Sequence, residues 1–373
     1  MLKRVRVVGF RCFDDLELKP GPRQLVLGKN GTGKSSLLDA VYLLRAFILD
    51  GGRARDVFPD DCLSRWGGTA LRFELDVDME GLSFEYSIKL KPTEKFENNF
   101  AVRSETLNIG SIGSIAFANG HVEVTRKGSP PKQYPAEMEY SAVGGSLASE
   151  FLPKVVRFRQ WLSKMMCVRP KPTDMRSFSS GLTAEPRISL VNLIAWYRSQ
   201  TQDSRLRFKA SLKEALPGLE STTLKNISTN RKALVFAFAR NGQRVEFALD
   251  ELSDGQRALV GLYATLHFGL KPGATVWIDE PENFVALAEI QPWLLEFLDK
   301  ASEVGAQVVV LSHHPELIDQ MVQENGIVLY RDNDRRIRAK TYKHPEENSI
   351  PASEYIARGW ELGFTPLRRI HEE

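Results

Sequence analysis

The stretch Gly28-Lys29-Asn30-Gly31-Thr32-Gly33-Lys34-Ser35 is where this chain is best suited to chemistry. Its glycines let successive backbone N–H groups curl around a phosphate without Cβ clashes. Lys34 can then reach β and γ oxygens, and the Ser35 hydroxyl can ligate Mg²⁺. A second group is Asp279-Glu280-Pro281-Glu282, which follows the apolar run Thr275-Val276-Trp277-Ile278. Asp279 can hold a metal through its water shell, while Glu280, one residue farther on, can orient and deprotonate an attacking water. Val308 to Leu311 ends in Ser312-His313-His314-Pro315, and His313 at such a strand tip can donate to a γ-phosphate oxygen. Glu251-Leu252-Ser253-Asp254-Gly255-Gln256-Arg257 precedes a long helical pattern. Ser253 and the backbone near Gly255 can bind phosphate at that helix start, although Ser-Asp-Gly alone is a routine turn and cap.

These groups need elements to position them. Leu25-Val26-Leu27 reads as the strand entering the phosphate loop, and Ser36-Leu37-Leu38-Asp39-Ala40-Val41 as the helix leaving it, with its positive dipole end on the anion. That helix runs to about Phe47 and is broken by Asp50-Gly51-Gly52. Val5 to Phe10 and Leu16 to Leu18 read as short strands joined by a turn at Asp14-Asp15. Leu71 to Leu90 alternates on both sides of Glu80-Gly81, as a hairpin with one buried face does. Residues 107–150 are rich in Gly, Ser and Pro and read as a loop-rich insertion with short strand-like pieces such as Val122-Glu123-Val124. Ser189 to Tyr197 and Arg205 to Leu216 have helical spacing, and Leu234 to Phe238 with Val245 to Leu249 form a second hairpin at Asn241-Gly242. The β-branched runs Thr275 to Ile278, Gln307 to Leu311 and Gly326 to Tyr330 alternate with helical segments near 256–269, 289–301 and 315–322, the pattern of a covered parallel sheet. There is neither an internal repeat nor a sustained heptad pattern.

Bulk properties set wide limits. The 373 residues are 42% hydrophobic and 26% charged, which suits a globular protein with a sizeable core. Apolar runs such as Val308-Val309-Val310-Leu311 are too short to span a bilayer, and Met1-Leu2-Lys3-Arg4-Val5-Arg6 lacks the apolar stretch of a secretory signal. Cys12, Cys62 and Cys167 lie far apart, without metal-like spacing, and are expected in a reducing, cytoplasmic setting. A net charge of +3 permits a local nucleic-acid patch without arguing for one. Arg331, Arg335, Arg336, Arg338 and Lys340 read as a solvated strand edge rather than a nucleic-acid contact. Lys164, Arg169, Lys171 and Arg176 around Cys167 leave the same choice open; Arg368, Arg369, Glu372 and Glu373 read as an exposed tail.

The ordered motifs resemble those of the ATP-binding-cassette (ABC) ATPases, and more closely the branch containing RecF, the SMC proteins and the OLD-type ATPases. Phe10-Arg11-Cys12-Phe13-Asp14 is similar to the phenylalanine-arginine segment that opens those proteins; Ser253-Asp254-Gly255-Gln256 is similar to their signature loop and Ser312-His313-His314-Pro315 to their switch-histidine loop. The resemblance runs from residue 5 to 320, with no matched motif in 100–230. It implies an α/β fold, a P-loop NTPase of ABC-ATPase type, with a mixed sheet, an antiparallel β subdomain and a helical, loop-rich insertion. The expected organisation is an N-terminal half of the ATPase domain at 1–100, an insertion or helical lid at 101–230, a C-terminal half at 231–345 and a tail at 346–373.

The resemblance further implies that ATP and Mg²⁺ are bound by Gly28, Lys29, Asn30, Gly31, Thr32, Gly33, Lys34, Ser35 and Ser36, with Ser35 and Asp279 on the metal. Lys34, Glu280 and His313 would be catalytic. Ser253 and Gly255 would reach the same γ-phosphate from a second protomer, so that a head-to-tail homodimer completes two sites, coupled through Asn283 to Leu287. Asp254 departs from the family's usual glycine and should point away from phosphate. Gln160 is a candidate for the family's glutamine lid residue. The missing heptads exclude SMC-like bridging, and the residues after His314 are too few for the nuclease domain fused in OLD proteins. The expectation is therefore a free-standing, Mg-dependent ATPase switch acting on a separate nuclease or toxin chain in bacterial anti-phage defence, with DNA binding possible and no membrane. The alternatives are a RecF-like DNA-repair ATPase, whose DNA affinity would fall steeply with salt, and an ATP-sensing scaffold that does not turn over. A transporter ATPase fits less well, because of the phenylalanine-arginine segment.

Overall fold

The computed structural model describes residues 1–93, 100–179, 186–229, 231–342 and 350–358. At its centre is a six-stranded sheet in the order Met166–Val168, Thr275–Asp279, Gln307–Leu311, Arg23–Gly28, Gly326–Arg331, Ile337–Tyr342. The first five strands are parallel, and the last pairs antiparallel at the edge. Side chains along these strands alternate between two cores. Trp277, Val309 and Leu311 face one, while Val276, Ile278, Val308 and Val310 face the other. Burial on both faces is why these runs are continuously apolar and β-branched instead of alternating with polar residues.

One core lies under an eight-stranded antiparallel sheet, in the order Phe13–Leu18, Leu2–Phe10, Leu71–Met79, Leu82–Pro92, Phe100–Ile109, Gly113–Ala118, His121–Arg126, Lys132–Pro135. The helix Lys34–Asp50 is packed in this core through Leu37, Leu38, Val41, Leu44 and Phe47, and it ends at Gly51 in the left-handed region. The other core is covered by Asp254–Ala264, Leu287–Glu303 and Pro315–Asn325, with Gln202–Ala215 outside them. A small antiparallel sheet built on Arg231–Arg240 flanks this half, and its hairpin turns at Asn241 and Gly242, both at positive φ. Among the described residues no helix is long and apolar enough to cross a membrane.

The structure differs from the sequence reading in several places. Asp14 and Asp15 lie within the strand Phe13–Leu18; the turn falls at Arg11-Cys12, with Arg11 at φ 49°. Asp15 is kept in the strand by its cross-strand bonds to Arg6, at 2.8 and 2.6 Å. Residues 107–135 are not loop-rich: four strands continue the sheet across the expected 100/101 boundary, and glycines such as Gly110, Gly120 and Gly128 serve tight turns at positive φ. The helix expected from Ser189 starts at Leu193, after Leu190 at φ 58°, and the insertion also holds the helix Val155–Lys164 and the strand Leu219–Ser228, which the spacing does not signal. The expected tail contains the helix Ala352–Ala357, pinned where Ser353 N–H and Oγ–H donate to Asp319 at 2.8 and 2.7 Å. Arg368, Arg369, Glu372 and Glu373 lie outside the described residues.

Glu105 anchors the antiparallel sheet. Its fully buried carboxylate accepts from Tyr86 Oη at 2.8 Å, Ser141 Oγ at 2.6 Å and the Ala142 N–H at 2.6 Å, tying residues 141–143 to the sheet. Glu105→Ala strands these donors without acceptors and is expected to cost about 3 kcal/mol. Urea unfolding of the variant should show a lower midpoint with an unchanged slope.

Candidate functional site

The site forms at the C-terminal ends of three neighbouring parallel strands. Register sets Asp279 opposite Leu311, and Leu311 opposite Val26, so the acidic turn, the histidine turn and the phosphate loop emerge side by side. Gly33 caps the loop's helix at φ 91°, and a Cβ there would lie 2.6 Å from both Cys12 Sγ and Phe13 Cε1. Only glycine fits between that backbone and the Phe10-Arg11-Cys12-Phe13 turn, which therefore buttresses the loop from behind. At the loop's entrance a Cβ on Gly28 would meet Thr32 Oγ1 at 2.4 Å and the Leu329 carbonyl at 2.8 Å. Thr32 Oγ1 donates to the Lys29 carbonyl at 2.8 Å, and Arg331 Nη2 donates to the Gly31 carbonyl at 2.7 Å, bracing the loop tip.

Lys34 is nearly buried, and its Nζ donates to the Gly28 carbonyl at 2.7 Å. Burial lowers its pKa, while the facing carboxylates of Glu280, Asp279 and Glu282 act in the opposite direction. Asp279 is 1% exposed, and burial raises its pKa against the pull of Arg169 and the Ser35 hydroxyl. Its Oδ2 accepts from Arg169 Nε at 2.7 Å, whereas its buried Oδ1 has no hydrogen-bond partner among the described residues. An orphaned carboxylate oxygen beside a serine hydroxyl is a hard-oxygen donor set that fits Mg²⁺, which takes few protein ligands and keeps several waters.

Glu280 leaves the sheet plane at φ 48°, a conformation costly for a non-glycine residue and typical of functional turns. Its N–H donates to the Leu311 carbonyl at 2.8 Å, and its Oε2 accepts from Asn283 Nδ2 at 2.8 Å. Glu280 Oε1 stands 3.4 Å from His313 Nδ1, with the imidazole half exposed. Ser312 Oγ, fully buried, donates to Glu282 Oε1 at 2.5 Å and accepts from the His314 N–H at 2.9 Å, fixing the histidine turn against the acidic one. A carboxylate and a histidine held at one rim can order a water and report on an added phosphate. A cavity of about 570 Å³ opens beside the loop, lined by Lys29, Asn30, Thr32, His313, Tyr330 and Arg331.

Ser253 and Gly255 are not joined to this cluster by any described contact. Ser253 caps its own helix, accepting from the Gln256 N–H at 3.3 Å while Gln256 Oε1 accepts from the Ser253 N–H at 3.1 Å. Gly255 instead backs onto the acidic turn's continuation, since a Cβ there would lie 2.9 Å from the Phe284 carbonyl. Asp254 is turned aside onto Arg257 at 2.5 Å. Phe284, at φ 72°, and Leu287 are exposed large apolar residues next to this turn.

Two residues change standing. Gln160 is exposed on the helix Val155–Lys164, which precedes the edge strand Met166–Val168, and no described contact joins it to the site. Arg169, read in the sequence only as one of a basic group, follows the edge strand Met166–Val168 and reaches Asp279, the Ser35 carbonyl at 2.9 Å and Asp39 at 3.1 Å. The sequence signal that marks it is its place directly after the apolar Met165 to Val168. Of the C-terminal basic group, Arg338 and Lys340 lie on the edge strand, Arg335 and Arg336 in the turn before it and Arg331 at the end of the neighbouring strand; Arg338 pairs with Asp332 at 3.0 Å and Arg336 lies 3.9 Å from Asp14.

Comparisons with known proteins agree on this architecture. Residues 173–319 match the family described as "AAA domain, putative AbiEii toxin, Type IV TA system", and residues 1–48 match a protein family of unknown function. A 44-residue stretch is 46% identical to the OLD nuclease of Thermus scotoductus, spanning 12% of this chain and 8% of that protein. An Smc head bound to the C-winged helix domain of ScpA superposes with a TM-score of 0.54 at 12% identity, covering 92% of this chain and 98% of the other. The Smc head domain with an extended coiled coil bound to the C-terminal domain of ScpA derived from Pyrococcus furiosus gives 0.51 at 11% identity, covering 97% and 99%.

Proposed function

We propose that this chain, an AAA-family ATPase of the ABC/SMC/OLD type by its fold and motifs, is an ATP-hydrolysing dimeric switch for a separate partner. The observation that carries the reading is the convergence of Lys34, Asp279, Glu280 and His313 at adjoining strand ends, while Ser253 makes its described bonds within its own helix start. The backbone from Gly28 to Gly33 with Lys34, Ser35 and Ser36 binds the triphosphate. Ser35 and Asp279 would hold Mg²⁺, which would supply charge neutralisation to the phosphate oxygens. Glu280 takes the proton of the attacking water, steadied by Asn283, and His313 senses the γ-phosphate. Ser253 and Gly255 of a second, head-to-tail copy close over that phosphate, and the exposed Phe284 and Leu287 meet across the seam. The closed pair gates a nuclease or toxin chain in the cytoplasm, as part of bacterial anti-phage defence. The match to a toxin–antitoxin family and to the opening of an OLD nuclease supports that class of partner. The paired Glu280 and His313 weigh against a scaffold that never turns over.

Phosphate release and mass measured on the purified chain test this. Release should require both ATP and Mg²⁺, and light scattering should show doubling of the mass with ATP and not with ADP. A chain that stays one size in every nucleotide state overturns the dimeric switch.

A further inference from the structure

The Asp279 carboxylate, whose Oδ1 has no partner among the described residues, is held through Oδ2 by a cation of the chain itself. Arg169 Nε donates to Asp279 Oδ2 at 2.7 Å, and its Nη2 donates to Asp39 Oδ1 at 3.1 Å and to the Ser35 carbonyl at 2.9 Å. One guanidinium thus spans the residues expected to hold the metal and the aspartate one helical turn farther along, which Arg11 also engages. Both carboxylates are mostly buried, with side-chain exposures of 1% and 19%. A divalent ion set between Ser35 and Asp279 would face a fixed positive charge within a few ångströms, and like charges in a poorly solvated cleft repel strongly.

We propose that Arg169 is a displaceable counter-ion of the metal half-site: it neutralises Asp279 and Asp39 and withdraws as a divalent ion enters beside Asp279. Once withdrawn, its planar fork is suited to phosphate oxygens. This assignment rests on the nucleotide site proposed above. Arg169 is a positioning residue, since it acts through Asp279 and not on the reacting atoms.

Its withdrawal has a route to the second copy's site. The Arg169 N–H is held by the Ile188 carbonyl at 2.7 Å, and the segment that follows packs on the helix that starts after Ser253. There the Pro172 carbonyl accepts from Arg257 Nη1 at 3.0 Å, and Met175 and Leu190 crowd Gly261 so closely that a Cβ would lie 2.8 and 2.9 Å from them. These contacts join the segment that carries Arg169 to the element that presents Ser253.

The test is Mn²⁺ binding to the full chain without nucleotide, read by electron paramagnetic resonance, for the wild type, Arg169→Gln, Arg169→Lys and Asp39→Asn. Arg169→Gln should tighten Mn²⁺ binding by about tenfold or more, because the competing charge is gone while Asp279 and Ser35 remain. Arg169→Lys, which keeps the charge but cannot bridge both acids, should fall between Arg169→Gln and the wild type. Asp39→Asn loosens Arg169 without touching Asp279, and should tighten binding by roughly threefold. Circular dichroism verifies that each variant is folded, and the Asp39 variant keeps the question answerable if loss of the guanidinium unfolds the chain. Unchanged or weaker Mn²⁺ binding in both Arg169→Gln and Asp39→Asn overturns the proposal, since Arg169 would then support the metal site. A separate titration of ATP with Mg²⁺ present, using wild type and Lys34→Ala, tests the nucleotide site itself. Failure there leaves the Mn²⁺ comparison intact, and the two ideas fall separately.

Discussion

Lys34→Ala is expected to abolish measurable ATP binding. Lys34 donates its ammonium to the Gly28 carbonyl, with Glu280, Asp279 and Glu282 facing it and burial opposing its charge. A triphosphate offers this strained cation better partners, through charge-assisted bonds of roughly twice ordinary strength. Alanine removes those bonds and also leaves the acids to repel the incoming phosphates. The combined loss should be at least about a hundredfold in affinity, roughly 3 kcal/mol. The fold should survive, because the helix Lys34–Asp50 is anchored by Leu37, Leu38, Val41, Leu44 and Phe47 rather than by its first residue. Isothermal calorimetry on a variant with an unchanged melting curve decides the matter: wild-type affinity for ATP would mean that the loop does not bind phosphate.

The parallel sheet and the order of its motifs were legible because the local pattern and the burial agree. Thr275 to Ile278 and Gln307 to Leu311 are buried on both faces, so every position selects an apolar or β-branched side chain. Where tertiary contacts set the structure, the sequence was silent. Asp14 and Asp15 have turn chemistry, but Arg6 across the ladder holds Asp15 in a strand. Gly113–Ala118 and His121–Arg126 are short, and the Gly and Ser of the first and of the turns around them read as loop until neighbouring strands supply the pairing. Arg169 was hidden for the same reason. Its strand is three residues long, and what gives it meaning is parallel pairing with Val276 to Ile278, more than a hundred residues away. The exposed Gln160 had the residue type that the family resemblance led one to seek, but not the place.

Glu280→Gln should separate binding from turnover. The substitution is isosteric, and a glutamine carbonyl can still accept from Asn283 Nδ2, so the φ 48° turn and its bond to Leu311 have no reason to change. What disappears is the negative charge that draws a proton from water. General-base catalysis is commonly worth about 10²–10⁴ in rate, or about 3–5 kcal/mol on the barrier. ATP affinity should hold or rise slightly, because one carboxylate facing the phosphates is neutralised. If hydrolysis reopens the pair, a chain that binds without turning over must collect in the closed state. Size-exclusion chromatography with ATP and Mg²⁺ should then show the variant eluting stably at dimer mass, while the wild type returns to monomer as ATP is consumed. His313→Ala makes a useful contrast: it removes the partner 3.4 Å from Glu280 but leaves the base, so turnover should fall less than in Glu280→Gln. A Glu280→Gln variant that hydrolyses at the wild-type rate would move the catalytic base elsewhere. Glu282 is a poor substitute, because its carboxylate is buried and committed to Ser312.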